Sequence, residues 1–170
     1  MKRHNFPIFY PKRNDNTVAF EKAKTHLEKY GFGDRIMEFD VSSATVALAA
    51  QAIGCEEAEI AKSLSFVVDG KPVLVVAAGD AKVDNAKFKA EFHTKAKMLA
   101  FDEVENLVGH AVGGVCPFGI NDGVAVYLDV SLQKLQNIYP ACGSSNSAVR
   151  LNREELEKAS GYKKWVDVCK

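Results

Sequence analysis

Apolar positions recur at helical spacing from Thr17 onward: Phe20, Ala23, Leu27 and Tyr30 form one stripe, Asn16 or Thr17 can cap its start, and Gly31 can end it. Before it, Pro7 and Pro11 stand among Phe6, Ile8, Phe9 and Tyr10, which predicts an extended arm over residues 1–14. Arg35-Ile36-Met37-Glu38-Phe39-Asp40 has the pattern of a short strand. Ser42-Ser43-Ala44-Thr45 then opens a second helix that runs to Ile53 and stops at Gly54. After one helical turn at residues 56–60, the β-branched and aromatic run Ile60-Ala61-Lys62-Ser63-Leu64-Ser65-Phe66-Val67-Val68 predicts a strand, and Asp69-Gly70 predicts a tight hairpin into Lys71-Pro72-Val73-Leu74-Val75-Val76-Ala77.

The second half continues in the same manner. Residues 84–93 are helical in pattern and rich in lysine, and Met98-Leu99-Ala100 suggests a short strand. Asp102 with Glu105 has the spacing of a capping box for a helix to about Val108. Residues 123–129 form a strand with Val124, Val126 and Leu128 on one face, ending at Asp129, which is placed equally well to cap a helix near Ser131 or to serve a site. Residues 137–141 and 147–151 pattern as a strand pair around Gly143, Asn152-Arg153-Glu154-Glu155 starts a helix that Gly161 ends, and Trp165-Val166-Asp167-Val168 can close the sheet. The sum is an α+β domain, a mixed, largely antiparallel sheet with helices packed around it, and a single domain over residues 1–170.

Composition narrows the function classes. Acidic and basic side chains balance at 22 each, so no global field draws the protein to nucleic acid, and such a contact needs a local patch. The densest one is Lys82, Lys87, Lys89, Lys95 and Lys97 with His93, which is either an ordinary solvated helix face or a surface for phosphates. No apolar run of about 18 residues is present and the start has no secretory pattern, which points to a cytoplasmic protein without membrane association. Cys55, Cys116, Cys142 and Cys169 are widely separated, as are His4, His26, His93 and His110, so spacing suggests reduced thiols and neither a metal site nor a cofactor.

Two stretches carry the candidate chemistry. Alternation puts Lys62 on the same strand face as Leu64 and Phe66, an apolar setting that a cation occupies only where a partner, a cleft or a route to water relieves it. Gly113-Gly114-Val115-Cys116-Pro117 is a loop whose glycines allow close backbone approach and whose proline stiffens it.

Ala61-Lys62-Ser63-Leu64 together with the Gly113…Pro117 loop resembles the YbaK/EbsC family, free-standing relatives of the editing domain of bacterial prolyl-tRNA synthetase. Gly79-Asp80-Ala81-Lys82, Val126-Tyr127-Leu128-Asp129 and Ala141-Cys142-Gly143-Ser144 are similar to further family segments, in order over about residues 20–160. The resemblance implies a curved, partly barrel-like sheet and hydrolysis of the ester between a wrong amino acid and the terminal ribose of tRNA, most often the proline tRNA. It implies Lys62 and Asp129 as the catalytic pair, Lys62 meeting phosphate or ribose oxygens and Asp129 orienting Lys62 or a water. Backbone groups of Gly113, Gly114 and Val115 would hold the aminoacyl group, with Cys116, Pro117, Gly143, Ser144, Ser43 and Thr45 completing the substrate site. The substrate's own thiol or the ribose 2′-OH would assist, without a protein nucleophile or cofactor. Partners would be the acceptor end of tRNA and, in some settings, prolyl-tRNA synthetase; oligomeric state stays open. The turn Gly143-Ser144-Ser145-Asn146 lacks the basic residues some relatives carry there, which leaves Cys, Ala, Ser and Thr all open as the removed residue.

Two other readings compete. Cys116 and His110 could form a nucleophile–base pair, although nothing in the sequence brings them together. A non-catalytic module that binds aminoacyl-tRNA or a synthetase would also use a lysine on an apolar face.

Overall fold

The structure, a computed structural model, describes the chain from Asp15 to Lys170; the expected arm over residues 1–14 lies outside the described residues. Helix α1 spans Asp15–Glu28 and so starts before Thr17. Its stripe Phe20, Ala23 and Leu27 is buried, while Tyr30 falls in the following turn and is exposed. Strand β1 (Ile36–Glu38) leads to helix α2 (Val46–Ile53), whose N-cap Thr45 accepts a hydrogen bond from the Leu48 N–H, and which ends at left-handed Gly54.

Strands β2 (Ile60–Val68) and β3 (Lys71–Ala78) form the predicted hairpin, with positive φ at both Asp69 (51°) and Gly70 (76°). That geometry matches the right-handed twist of the flanking strands. Helix α3 (Asn85–Phe92) is capped by the Asp84 side chain, and helix α4 (Phe101–Val108) follows. Here the capping-box expectation fails: α4 starts at Phe101 behind Ala100, so Asp102 lies within the first turn, where its charge favours the dipole without capping. Strand β4 (Ala125–Asp129) precedes β5 (Tyr139–Pro140) and β6 (Ser147–Val149). Helix α5 (Arg153–Ser160) has the capping box at Asn152 and Glu155 in full, and β7 (Trp165–Val166) ends the sheet.

The fold is α+β, as the pattern predicted. Five strands lie in the order β5-β2-β3-β4-β7. The longest ladder, β2 with β3, is antiparallel, while β5, β4 and β7 add in parallel, which makes the sheet mixed. Strand β3 is central, and its unbroken run from Val73 to Ala78 is buried because both faces are covered. Residues 137–141 and 147–151 pair antiparallel as expected, through bridges at Ile138–Leu151 and Ala141–Ala148, and β6 also pairs with β1, so these bridges tie the small sheet to the large one. On one face Phe88 of α3 packs on Phe66 of β2, ring centroids 4.8 Å apart, and Phe92 stands edge-on to Tyr127 of β4 at 5.0 Å.

Asp129 joins the ends of β4 and β7. Its carboxylate is buried and accepts the N–H groups of Ser131 and Val168, each at 2.9 Å. Removing it leaves the buried Val168 N–H and the half-buried Ser131 N–H without partners, so Asp129→Ala should lower unfolding free energy by about 2–4 kcal/mol in urea denaturation.

Candidate functional site

Where the segment before α2, the strand β2 and the glycine loop converge, they enclose a cavity of about 370 Å³. Ser43, Thr45, Lys62, Gly113 and Val115 line it. Backbone hydrogen bonds hold these pieces together: the Ser43 N–H donates to the Ser145 carbonyl at 2.7 Å, the Phe39 N–H to Asn146 at 2.8 Å, and the Gly143 N–H to Gly114 at 3.0 Å. The hydroxyls of Ser43 and Thr45 are partly spent on local bonds, Ser43 donating to Ser145 and Thr45 capping α2.

Gly114, Cys116, Pro117, Gly143 and Ser144 lie outside the lining and behind it. A Cβ on Gly114 would stand 2.7 Å from the Ser144 nitrogen, and one on Gly143, which has φ of +80°, would stand 2.5 Å from the Ala19 carbonyl oxygen of α1. Both glycines are therefore required for backbone to pack on backbone. The Ser144 hydroxyl turns to Asn146 and Ser147.

Lys62 forms part of the cavity wall, yet its ammonium donates to the carbonyl oxygens of Gly79, at 3.2 Å, and Ala81, neither of which lines the cavity. The ion pairs among the described residues join Arg35 to Glu155, Lys87 to Asp167, Arg153 to Glu157 and Lys164 to Glu91, so no carboxylate is in ion-pair contact with Lys62. The Asp129 carboxylate accepts the Ser131 and Val168 N–H groups and lies outside the cavity lining. Lys87 in the basic region is likewise engaged, by Asp167 and the Cys169 carbonyl.

The structure does bring Cys116 and His110 together, contrary to the sequence expectation. Sγ and Nδ1 are 3.7 Å apart and both residues are fully buried. The pair is nevertheless neutral. Burial pushes the Cys116 thiol up and lowers the His110 imidazole from its ordinary 6.5 to about 4. His110 Nδ1 accepts the Cys116 backbone N–H at 3.3 Å, while the thiol donates to the Phe118 carbonyl at 3.7 Å. The base is thus occupied and the thiol points its proton elsewhere.

Several lining residues were not foreseen, among them Ser63, Ser65, Phe101, Tyr139 and Ser147. Ser63 and Ser65 were legible as one strand face opposite Lys62, but that face carried no chemical signal until the glycine loop was seen against it. Phe101 sat one residue before the misplaced helix start.

A family model for the aminoacyl-tRNA editing domain matches residues 41–159, which contain the segment before α2, the strand β2 and the glycine loop. The chain belongs to that family. It is 49% identical over 154 residues to the uncharacterized protein YwhH of Bacillus subtilis (strain 168), covering 90% of this chain and 98% of that one. It is 30% identical over 136 residues to proline–tRNA ligase of Staphylococcus aureus (strain JH1), covering 77% of this chain but 24% of the ligase, so the editing-domain match spans about a quarter of that enzyme. A solved structure described as a proposed trans-editing enzyme for prolyl-tRNA synthetase superposes with a TM-score of 0.80 at 30% identity, over 89% of this chain and 97% of that one.

Two tests follow from this editing domain's geometry. Gly114→Ala forces backbone apart and should cost about 2–4 kcal/mol, whereas Gly123→Ala, where a Cβ meets open space at φ +86°, should cost about 1–2 kcal/mol; thermal denaturation compares them. Unfolded His110 binds a proton near pH 6.5 that the folded protein refuses until about pH 4, so stability falls as pH drops through that window. The loss approaches about 3 kcal/mol, and His110→Gln should flatten the pH dependence of the urea midpoint between pH 7 and pH 4.

Proposed function

We propose that this editing domain is a trans-editing deacylase that hydrolyses the ester of mischarged tRNA, proline tRNA carrying Cys, Ala, Ser or Thr being the substrate class. The observation that carries the reading is the cavity itself, walled by Lys62 and by the Gly113 and Val115 backbone, within a domain of the editing family. The Gly114 N–H is used by the Ala111 carbonyl and the Cys116 N–H by His110, while no acceptor among the described residues takes the N–H of Gly113 or Val115. Those two donors are suited to the ester carbonyl oxygen as negative charge develops on it.

Water attacks the ester carbonyl, the bond to the ribose oxygen breaks, and the products are the free amino acid and a tRNA with its terminal hydroxyls restored. Aminoacyl esters are activated, so positioning and oriented dipoles carry much of the acceleration. Lys62, a cation held by neutral carbonyls, keeps its field for a phosphate or ribose oxygen. Cys116 supplies no nucleophile in this reading. Proofreading of this kind serves where small side chains differ by only about 1–3 kcal/mol in binding. tRNA as partner and a cytosolic setting go with this function; among the described residues no helix is long and apolar enough to cross a membrane.

The test is multiple-turnover deacylation of proline tRNA charged in turn with Cys, Ala, Ser, Thr and Pro. Wild type and Cys116→Ser should clear one misacylated species at rates within about threefold of each other and spare Pro, while Lys62→Ala should lose at least about 100-fold. Decay of every ester at the buffer rate, with tRNA still bound, would replace the deacylase by a binding module.

A further inference from the structure

Met98, Phe101 and Val112 are exposed and line the same cavity, so its mouth carries an apolar rim. Phe101 is the extreme case at 78% exposed. Folding gains little from a phenyl ring left in water, yet the backbone that carries this one is tied down. The segment before it is pinned to β2, the Val67 N–H donating to the Lys97 carbonyl at 2.9 Å and the Leu99 N–H to the Ser65 carbonyl at 3.0 Å. Phe101 then opens α4.

We propose that Phe101, with Met98 and Val112 on the same rim, is the platform on which the unpaired 3′-terminal base of the substrate stacks; this rests on the deacylase reading. If the ester lies in the cavity, the nucleoside bearing it extends to the mouth, and its base is a flat, uncharged surface matched to an exposed phenyl ring. The neighbouring exposed carboxylates Asp102 and Glu103 disfavour a phosphate at this end of α4, which selects the base as the part that meets Phe101. Exposed Lys95 and Lys97, just before the rim in the chain, offer charge for the nucleotide backbone instead. Stacking on an aromatic ring tolerates any base, so the platform adds affinity and orientation while leaving the choice of tRNA to other contacts.

Steady-state deacylation by wild type, Phe101→Ala and Phe101→Trp tests this. Phe101→Ala should raise KM about tenfold with kcat within about twofold, and Phe101→Trp should stay near wild type. A second arm needs no catalysis: adenosine 5′-monophosphate should quench the fluorescence of Phe101→Trp, ribose 5-phosphate should not, and the native Trp165 should respond to neither. Unchanged KM for Phe101→Ala in an active enzyme overturns the platform and leaves the deacylase standing. If wild type fails to deacylate, the deacylase reading falls, and the quenching arm alone decides whether the rim takes a base. A wild-type dimer that Phe101→Ala converts to monomer in sedimentation would assign the rim to a second copy and overturn the proposal.

Discussion

Two glycine turns touching backbone to backbone set the geometry on which the cavity depends. Gly114 accepts the Gly143 N–H, and no side chain could fit between them or between Gly143 and α1. The chain thus stacks helix, turn and loop at the spacing of bare peptide groups. Gly113 and Val115, on either side of that contact, are delivered to the cavity wall. Because the bonds from residues 39 and 43 to residues 146 and 145 are also backbone bonds, the walls are positioned without relying on the rotamers of long side chains. A site built this way loses little order when a ligand enters.

The His110–Cys116 pair shows how little proximity alone establishes. A thiolate–imidazolium pair in a dry interior must recover a desolvation penalty of several kcal/mol per ion, which takes further hydrogen bonds to both charges. Here the bonds serve the neutral forms instead: the imidazole accepts a backbone amide and the thiol donates to a carbonyl. His110 Nε2 has no partner among the described residues, which again suits a neutral ring better than a charged one. The histidine stiffens the 110–116 loop from inside, alongside the constraint Pro117 places on the backbone.

Much of the fold was legible because its signals are local. Asp69-Gly70, the continuous apolar run of β3, the Asn152 capping box and the stop at Gly54 each depend on a few adjacent residues. What escaped depends on distant partners. Asp129 could be seen to end a strand, but not that the Val168 amide, 39 positions later, would take its second oxygen. The same holds for β6, whose short apolar pattern fits β1 as well as β5, and for Ser63 and Ser65, which became cavity walls only through a loop some 50 residues downstream. Lys62 was singled out as a charge on an apolar face, but alternation could not tell that carbonyls rather than a carboxylate would receive it.

That last distinction matters for any anion that approaches Lys62. A carboxylate beside Lys62 would have cancelled most of its field at a few ångströms, since opposite charges at contact look neutral from farther away. Carbonyl oxygens solvate the ammonium through partial charges and leave its net charge intact. The strand therefore holds a positive charge at a half-buried position, where screening by water is weaker than at the surface. With a balanced total charge, and with Asp167 and Glu91 engaged by Lys87 and Lys164 near α3, any electrostatic pull on an anion must come from local charges such as this one rather than from the protein's overall field.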